Sequence, residues 1–123
     1  MRYLVLLQGT NPPTQPPPSL MEGIFALGEE AIRAGVMLDN GGLAPSAAGA
    51  RVEVTGGGLS VTDGPFTESK EMISYVVYDV ASREEAVEWT SRFMNLHREL
   101  WEGWEGEAQV LRVLGPEDFA PPA

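Results

Sequence analysis

The fold is decided by the stretch Met72-Ile-Ser-Tyr-Val-Val-Tyr-Asp-Val80. It is rich in β-branched and aromatic residues, and most positions in both of its alternating sets are apolar. This pattern predicts a strand that other parts of the protein cover on both faces. The N-terminal stretch Arg2–Gln8 has the same pattern, because the residues from Tyr3 to Leu7 are all apolar. We therefore expect two buried strands, far apart in the chain.

An amphipathic helix is expected between these strands. Apolar residues recur at helical spacing over Leu20–Ala34, and charged residues occupy the other side. Ser19 and Glu22 match a capping box, in which the serine hydroxyl accepts from a free backbone N–H at the helix start. Gly35 then provides a left-handed stop. The proline-rich segment Gly9–Pro18 before the helix is expected to be an exposed connection.

A second helix is expected after Val80. Ser82 and Glu85 repeat the capping box. Four residues at helical spacing form the expected buried stripe of this helix: Ala86, Trp89, Thr90 and Phe93. We expect His97 to follow the helix in a polar loop.

The remaining segments predict short strands. Val52 and Val54 alternate with polar residues, and Gly56–Gly58 turns the chain into Leu59–Thr62, which indicates a β-hairpin. A last strand is expected over Ala108–Leu114.

The order strand, helix, strands, helix, strand predicts an α+β fold. It is typical of a ferredoxin-like split βαβ arrangement, in which an antiparallel sheet carries both helices on one face. We expect a single domain over residues 1–119, with residues 120–123 as a tail. Because two helices cover only one face, the apolar second face needs another partner. The sequence therefore predicts a homodimer packed sheet to sheet.

The composition excludes several classes of function. Among 123 residues, 18 are acidic and 8 are basic, and the resulting net charge of −10 repels phosphate, so direct nucleic-acid binding is not expected. The absence of cysteine excludes disulfides and thiolate zinc sites, and a single histidine leaves too few ligands for an ordinary transition-metal site. No cofactor is expected. The apolar N-terminal stretch is too short for a signal peptide or a membrane helix, so we expect a cytoplasmic protein with no membrane contact.

One longer segment resembles a known family. Val61–Ile73, VTDGPFTESKEMI, is similar to the signature of the YCII-related proteins that carry the motif Asp-Gly-Pro-Phe (DGPF). Flanking blocks agree in the same order: Ala34–Leu38, Gly42–Pro45, Ser82–Ala86, Asn95–His97 and Pro116–Phe119. The resemblance extends from about Met1 to Phe119.

The resemblance implies a ferredoxin-like fold assembled as a dimeric α+β barrel, with a cleft between the sheet and its connecting loops. Some members of that family are encoded beside, or fused to, extracytoplasmic-function sigma factors, which implies a sigma factor as a protein partner. A more distant branch includes a small dehydrochlorinase. That branch implies, as the alternative, a cofactor-free enzyme of the lyase or hydrolase type.

Three residues are candidates for proton transfer: Asp63, Lys70 and His97. Asp63 either stabilises the turn between two strands or acts as a general acid or base at the mouth of the cleft. Lys70, the only lysine, either forms a salt bridge with Glu68 or Glu71, or binds an anionic ligand. His97 either caps the end of the second helix or serves as a general base in the cleft.

Six further residues are candidates for ligand binding: Gly64, Pro65, Phe66, Glu68, Trp101 and Trp104. The two tryptophans are three residues apart, so they either cover an edge of the core or form an aromatic wall for a planar ligand. Phe66 either fills the core or supports a substrate. Two classes of function follow. The first is an accessory factor that binds a protein or a small anionic or aromatic ligand, and the second is a small enzyme with its cleft near the DGPF loop.

Overall fold

A computed structural model of the chain describes residues 1–10, 15–66 and 70–119. Glu68, residues 120–123 and part of the proline-rich connection lie outside the described residues. The helices and strands have these bounds: β1 Arg2–Gly9, α1 Pro18–Arg33, β2 Met37–Gly42, β3 Ala50–Thr55, β4 Gly58–Asp63, β5 Glu71–Asp79, α2 Arg83–Leu100 and β6 Gly106–Val113. Two short 3₁₀ turns, Ser46–Ala48 and Pro116–Phe119, complete the described structure.

Four strands form one antiparallel sheet in the order β2-β5-β1-β6. β5 lies between β2 and β1, and β1 lies between β5 and β6, so each helix connects two parallel strands with a third strand inserted between them. This is the split βαβ arrangement predicted from the order of elements. The α+β architecture is compatible with the predicted ferredoxin-like fold.

The core lies between the helices and one face of the sheet. On this face Tyr3 is paired with Tyr78, and Val5 is paired with Val76. All four are buried, and Ala86 of α2 is buried in the same cluster. Burial raises the pKa of Tyr78 to about 12, because a phenolate would lose its hydration there. The second helix therefore packs against the two central strands that the sequence predicts.

The other side of the sheet, here called the open face, is not covered by either helix. Its apolar side chains alternate with those of the core: Leu4, Leu6, Tyr75, Val77, Leu111 and Val113. They are half-buried, except Leu111, which is exposed. The open face is the surface that the sequence predicts to need a partner.

The start of α1 differs from the prediction. The helix begins at Pro18, and its N-cap residue, Pro17, makes no side-chain capping bond. Ser19 therefore lies inside the first turn, and the capping box expected with Glu22 is wrong. Proline fits the first helical position because its φ angle is already helical and its missing N–H would lack a partner there. Gly35 has φ 74° and ends the helix as predicted.

The second helix begins as predicted and ends later. The Ser82 hydroxyl accepts from the Glu85 N–H at 3.1 Å, and the Glu85 carboxylate accepts from the N–H of Ala81. The polar loop expected around His97 is wrong, because α2 continues to Leu100 and His97 is a buried residue of its last turns. His97 follows Phe93 by four residues, so it continues the buried stripe.

The predicted hairpin is confirmed as a separate two-stranded sheet, β3 with β4. Gly56 and Gly57 at its tip both have positive φ angles, which is the geometry of a type I′ turn. We call the hairpin Ala50–Asp63 the arm, because among the described residues no ladder hydrogen bonds join it to the four-stranded sheet. Within the described ranges, neither helix is long and apolar enough to cross a membrane.

Candidate functional site

A cavity of about 570 Å³ lies between the helices and the sheet. Its wall is mostly apolar, and the residues that build it come from α1, β5, α2 and the segment before β6: Leu20, Ile24, Ile73, Phe93, Trp101 and Trp104. It opens along α1, where Phe25 and Ile32 are exposed and also line it. The volume lies within the range of sites that hold small molecules.

A bulge in the sheet shapes one wall of the cavity. β1 and β5 lose register between Leu7 and Gln8, so Ser74 pairs with Leu7 and Met72 pairs with Gln8. The extra residue, Ile73, lines the cavity. Bulges of this kind redirect a side chain that would otherwise point to the opposite face.

His97 is one of two buried titratable residues that line the cavity in the described part of the chain, the other being Tyr78, and only 4% of its surface is exposed. Its Nδ1 is 3.0 Å from the Phe93 carbonyl oxygen, and because a carbonyl only accepts, Nδ1 carries the proton. Nε2 is then the acceptor, and it has no hydrogen-bond partner among the described residues. Burial lowers the pKa of His97, since the charged form would lose hydration. The imidazole is therefore neutral near pH 7.

Two tryptophans stack beside this imidazole. The ring centroid of Trp104 is 4.7 Å from that of His97 and 6.2 Å from that of Trp101, whose plane is nearly parallel to it. The Trp104 ring packs closely against two glycines of the strands. A Cβ atom added to Gly9 would lie 3.1 Å from the ring, and one added to Gly106 would lie even closer, so neither position has room for a side chain. Its Nε1 is buried and has no partner within the described part of the chain. Both tryptophans line the cavity.

The electrostatics of the cavity favour an uncharged occupant. Glu29 is the one charged residue among the described lining residues, and it is exposed on α1. Polar groups at the β2 edge include Asn40 and Ser74. An anion in this cavity would therefore lose hydration without meeting a cation.

The DGPF turn lies elsewhere, at the root of the arm. The Gly64 N–H donates to the Gly49 carbonyl at 2.9 Å, and the Phe66 N–H donates to the Ser46 hydroxyl at 3.2 Å. The same hydroxyl donates to the Glu71 carboxylate at 2.6 Å. A Cβ at Gly64 would lie 1.7 Å from the Ser46 carbonyl oxygen, so only glycine fits there. Ser46 thus joins the turn to the start of β5.

The YCII-related domain family matches the chain over residues 1–103. The chain belongs to this family. No curated protein matches it.

In this YCII-related chain, the candidate residues from the sequence fall into two groups. His97, Trp101 and Trp104 line the cavity together. Gly64, Pro65 and Phe66 are not among its described lining residues, and the Arg51 guanidinium lies 4.2 Å from the Phe66 ring centroid. Glu68 lies outside the described residues. The geometry therefore separates the tryptophans from the DGPF loop.

The other two proton-transfer candidates also lie away from the cavity lining. Asp63 is the exposed last residue of β4. Lys70 forms an ion pair with Glu107 of β6 at 3.3 Å, rather than with the neighbouring Glu71. In the ranges 1–10, 15–66 and 70–119, no three His, Asp or Glu side chains form a group suited to a metal ion.

The sequence does not identify the residues of α1 that form one wall of the cavity. Leu20, Ile24 and Leu27 recur at helical spacing, and this pattern is the same for a helix that packs on a full core and for one that borders a cavity.

Proposed function

We propose that this YCII-related protein binds a small, neutral, largely apolar ligand in the cavity and acts as a binding or accessory factor. The observation that carries the proposal is the buried, neutral His97 beside the Trp101 and Trp104 rings in a cavity of about 570 Å³. An apolar wall with a few polar groups is typical of small-molecule sites. An aromatic compound with one hydrogen-bond donor fits this wall, because the donor has His97 Nε2 as its acceptor.

Thermal unfolding with three probes of similar size tests this proposal. We expect p-cresol to raise the melting temperature as its concentration rises, because a ligand that binds only the native state stabilises it. Toluene should raise it less, and benzoate should have no effect, since the cavity offers an anion no cation. If neither p-cresol nor toluene shifts the melting temperature of the folded protein, the proposal is wrong.

A cavity-filling variant locates the binding. Ile24→Trp places an indole inside the cavity volume and should abolish the p-cresol shift. Val87→Trp, at an exposed position of α2, is the matched control and should keep it. Equal p-cresol shifts in both variants would mean that the probe binds elsewhere.

A second candidate function is supported by the tautomer of His97. With the proton on Nδ1, Nε2 has a free lone pair and can act as a general base, and burial keeps the imidazole neutral. The base-promoted ring opening of 5-nitrobenzisoxazole, a small neutral aromatic, reports such a base. We expect the wild type to accelerate it and His97→Gln to lose the acceleration. Equal rates in both proteins would contradict the enzymatic role.

The assembly and the protein partner belong to the same proposal. We propose that the protein is cytoplasmic and forms a homodimer packed through its open faces. We propose a sigma factor as its protein partner, because the family resemblance implies one and because the net charge of −10 attracts a basic surface. Sedimentation tests the homodimer, and a monomer at every concentration would contradict it. Co-purification with extracytoplasmic-function sigma factors tests the partner, and recovery of none would contradict it.

A further inference from the structure

We propose that the arm packs against a second copy of the chain and thereby extends the contact between the open faces; this inference rests on the proposed homodimer. Four apolar side chains share one face of the arm, because Val52 is paired with Val61 and Val54 with Leu59. Their exposed fractions are 62%, 65%, 78% and 71% in that order. The opposite face carries polar residues only: Arg51, Glu53, Thr55, Ser60 and Thr62.

A two-stranded hairpin with an uncovered apolar face is not stable by itself. Isolated hairpins are marginal in water, and a third strand or a packed helix normally supports them. Here the described residues supply neither, since the arm is a sheet of its own and the four apolar residues stay mostly exposed. Its well-formed register therefore indicates a surface that covers it.

The root of the arm is fixed, so the apolar face has a defined position. Gly64 and Phe66 of the DGPF turn bond to Gly49 and Ser46, and Ser46 bonds to Glu71 at the start of β5. The family's signature turn thus connects the arm to the strand that lies centrally in the open face. The arm is thus joined through β5 to the sheet whose open face forms the proposed contact.

The area that a stable dimer buries also favours a second copy of the chain as the partner of the arm. Four strands spaced about 4.8 Å apart give the open face an area of roughly 400 Å² in each copy. Stable dimers bury about 800 Å² on each partner, so the open face alone reaches roughly half of that area. The four side chains of the arm add roughly 300 Å². The two surfaces together approach the standard size.

The charge of the arm also favours a second copy over a basic partner. The chain has a net charge of −10, whereas the arm carries one arginine and two carboxylates, Arg51, Glu53 and Asp63, and so has an excess of only one negative charge. Two identical acidic chains repel each other least at a surface with so small a net charge. A basic protein would find little excess of negative charge on the arm to bind.

Single cysteines test the arm directly, because the natural chain contains none. Leu59→Cys lies on the apolar face, and its matched control Ser60→Cys lies on the polar face one residue later. Each variant reacts with DTNB across a range of protein concentrations, while sedimentation gives the fraction of dimer. We expect the reactivity of the Leu59→Cys thiol to fall in proportion to the dimer fraction and that of the Ser60→Cys thiol to stay constant. Val61→Cys provides a second site on the apolar face in case Leu59→Cys weakens the dimer.

The outcomes separate this inference from the homodimer itself. If sedimentation shows a dimer and the cysteines of both faces stay equally reactive, the arm inference is wrong and the homodimer stands. If every variant and the wild type are monomers at all concentrations, both are wrong. As a second measurement, Val54→Asn should weaken the dimer, and Val87→Asn, on the exposed side of α2, should leave it unchanged.

Discussion

The imidazole of His97 lies 4.7 Å, centroid to centroid, from the indole of Trp104, and the two planes are tilted by 39°. The contact joins the last turns of α2 to the segment that leads into β6. Phe93 completes the environment of the imidazole: the two ring centroids are 4.8 Å apart in a T-shaped arrangement, and its carbonyl accepts a hydrogen bond from Nδ1. Burial among these rings lowers the pKa of His97, because the charged imidazolium would lose its hydration there.

This relationship predicts a pH dependence of stability. Burial holds the folded pKa of His97 below the value of about 6.5 in the unfolded chain, so the unfolded state takes up the proton first as the pH falls. The contribution of His97 is complete above pH 6.5 and is lost progressively below it. Urea unfolding of the wild type and of His97→Gln, at about pH 7.5 and pH 5.5, measures it.

We expect the wild type to lose more unfolding free energy between the two pH values than the glutamine variant loses. The carboxylates titrate in both proteins and cancel in the comparison. An identical pH dependence would contradict the buried neutral histidine.

Ser82, which caps α2, and Ser19, which does not cap α1, give a matched pair of predictions. Ser82→Ala removes the hydroxyl that accepts from the Glu85 N–H, and it should lower the unfolding free energy by about 1 kcal/mol. Ser19→Ala removes no cap, because Ser19 lies within the first turn of α1, and it should change stability by less than about 0.5 kcal/mol. Urea midpoints measure both. Equal losses would mean that Ser19 caps α1 after all.

These serines also show what the sequence could predict. Signals that depend on a few neighbouring residues were confirmed, such as Ser82 with Glu85 and the positive φ of Gly35. Ser19 matches the same motif, but the proline before it moves the helix start, so two local signals compete. The bounds of β5 are predicted within one residue at each end, because its run of β-branched and aromatic residues is typical of a buried strand.

Features that depend on distant residues were not predictable. Lys70 pairs with Glu107, 37 positions away in sequence, and only the order of the strands brings them together. The cavity is likewise a result of how α1 packs against the sheet. The spacing of Trp101 and Trp104 predicts either a cover for an edge of the core or a wall for a ligand, and only the tertiary fold separates these tryptophans from the DGPF loop.

Gly64 in the DGPF turn predicts a specific cost for an added methyl group. In Gly64→Ala the new Cβ would lie 1.7 Å from the Ser46 carbonyl oxygen, so the root of the arm has to move. We expect a loss of about 1–3 kcal/mol, as for other overpacked sites. Gly58→Ala is the control, because its Cβ would meet the nearest atom at an ordinary 3.6 Å. Urea unfolding and amide exchange of the arm measure both variants, and equal effects would contradict a structural role for Gly64.

Lys70 provides the last prediction, which decides between its two roles. Its Nζ lies 3.3 Å from the Glu107 carboxylate, and the two side chains are 45% and 49% exposed. Such pairs contribute at most about 1 kcal/mol, so Lys70→Met should reduce the unfolding free energy by no more than that. Screening in about 1 M salt should remove much of the difference. Because Lys70 is not a described lining residue, the p-cresol shift should be unchanged.

Glu107→Gln breaks the same ion pair from the other side and is the matched control for Lys70→Met. The double variant should then lose little more stability than either single variant, because one interaction is removed in all three. A role in anion binding gives a different result. It requires that benzoate stabilise the wild type and Glu107→Gln but not Lys70→Met, and that result would replace the ion pair as the function of the only lysine in the chain.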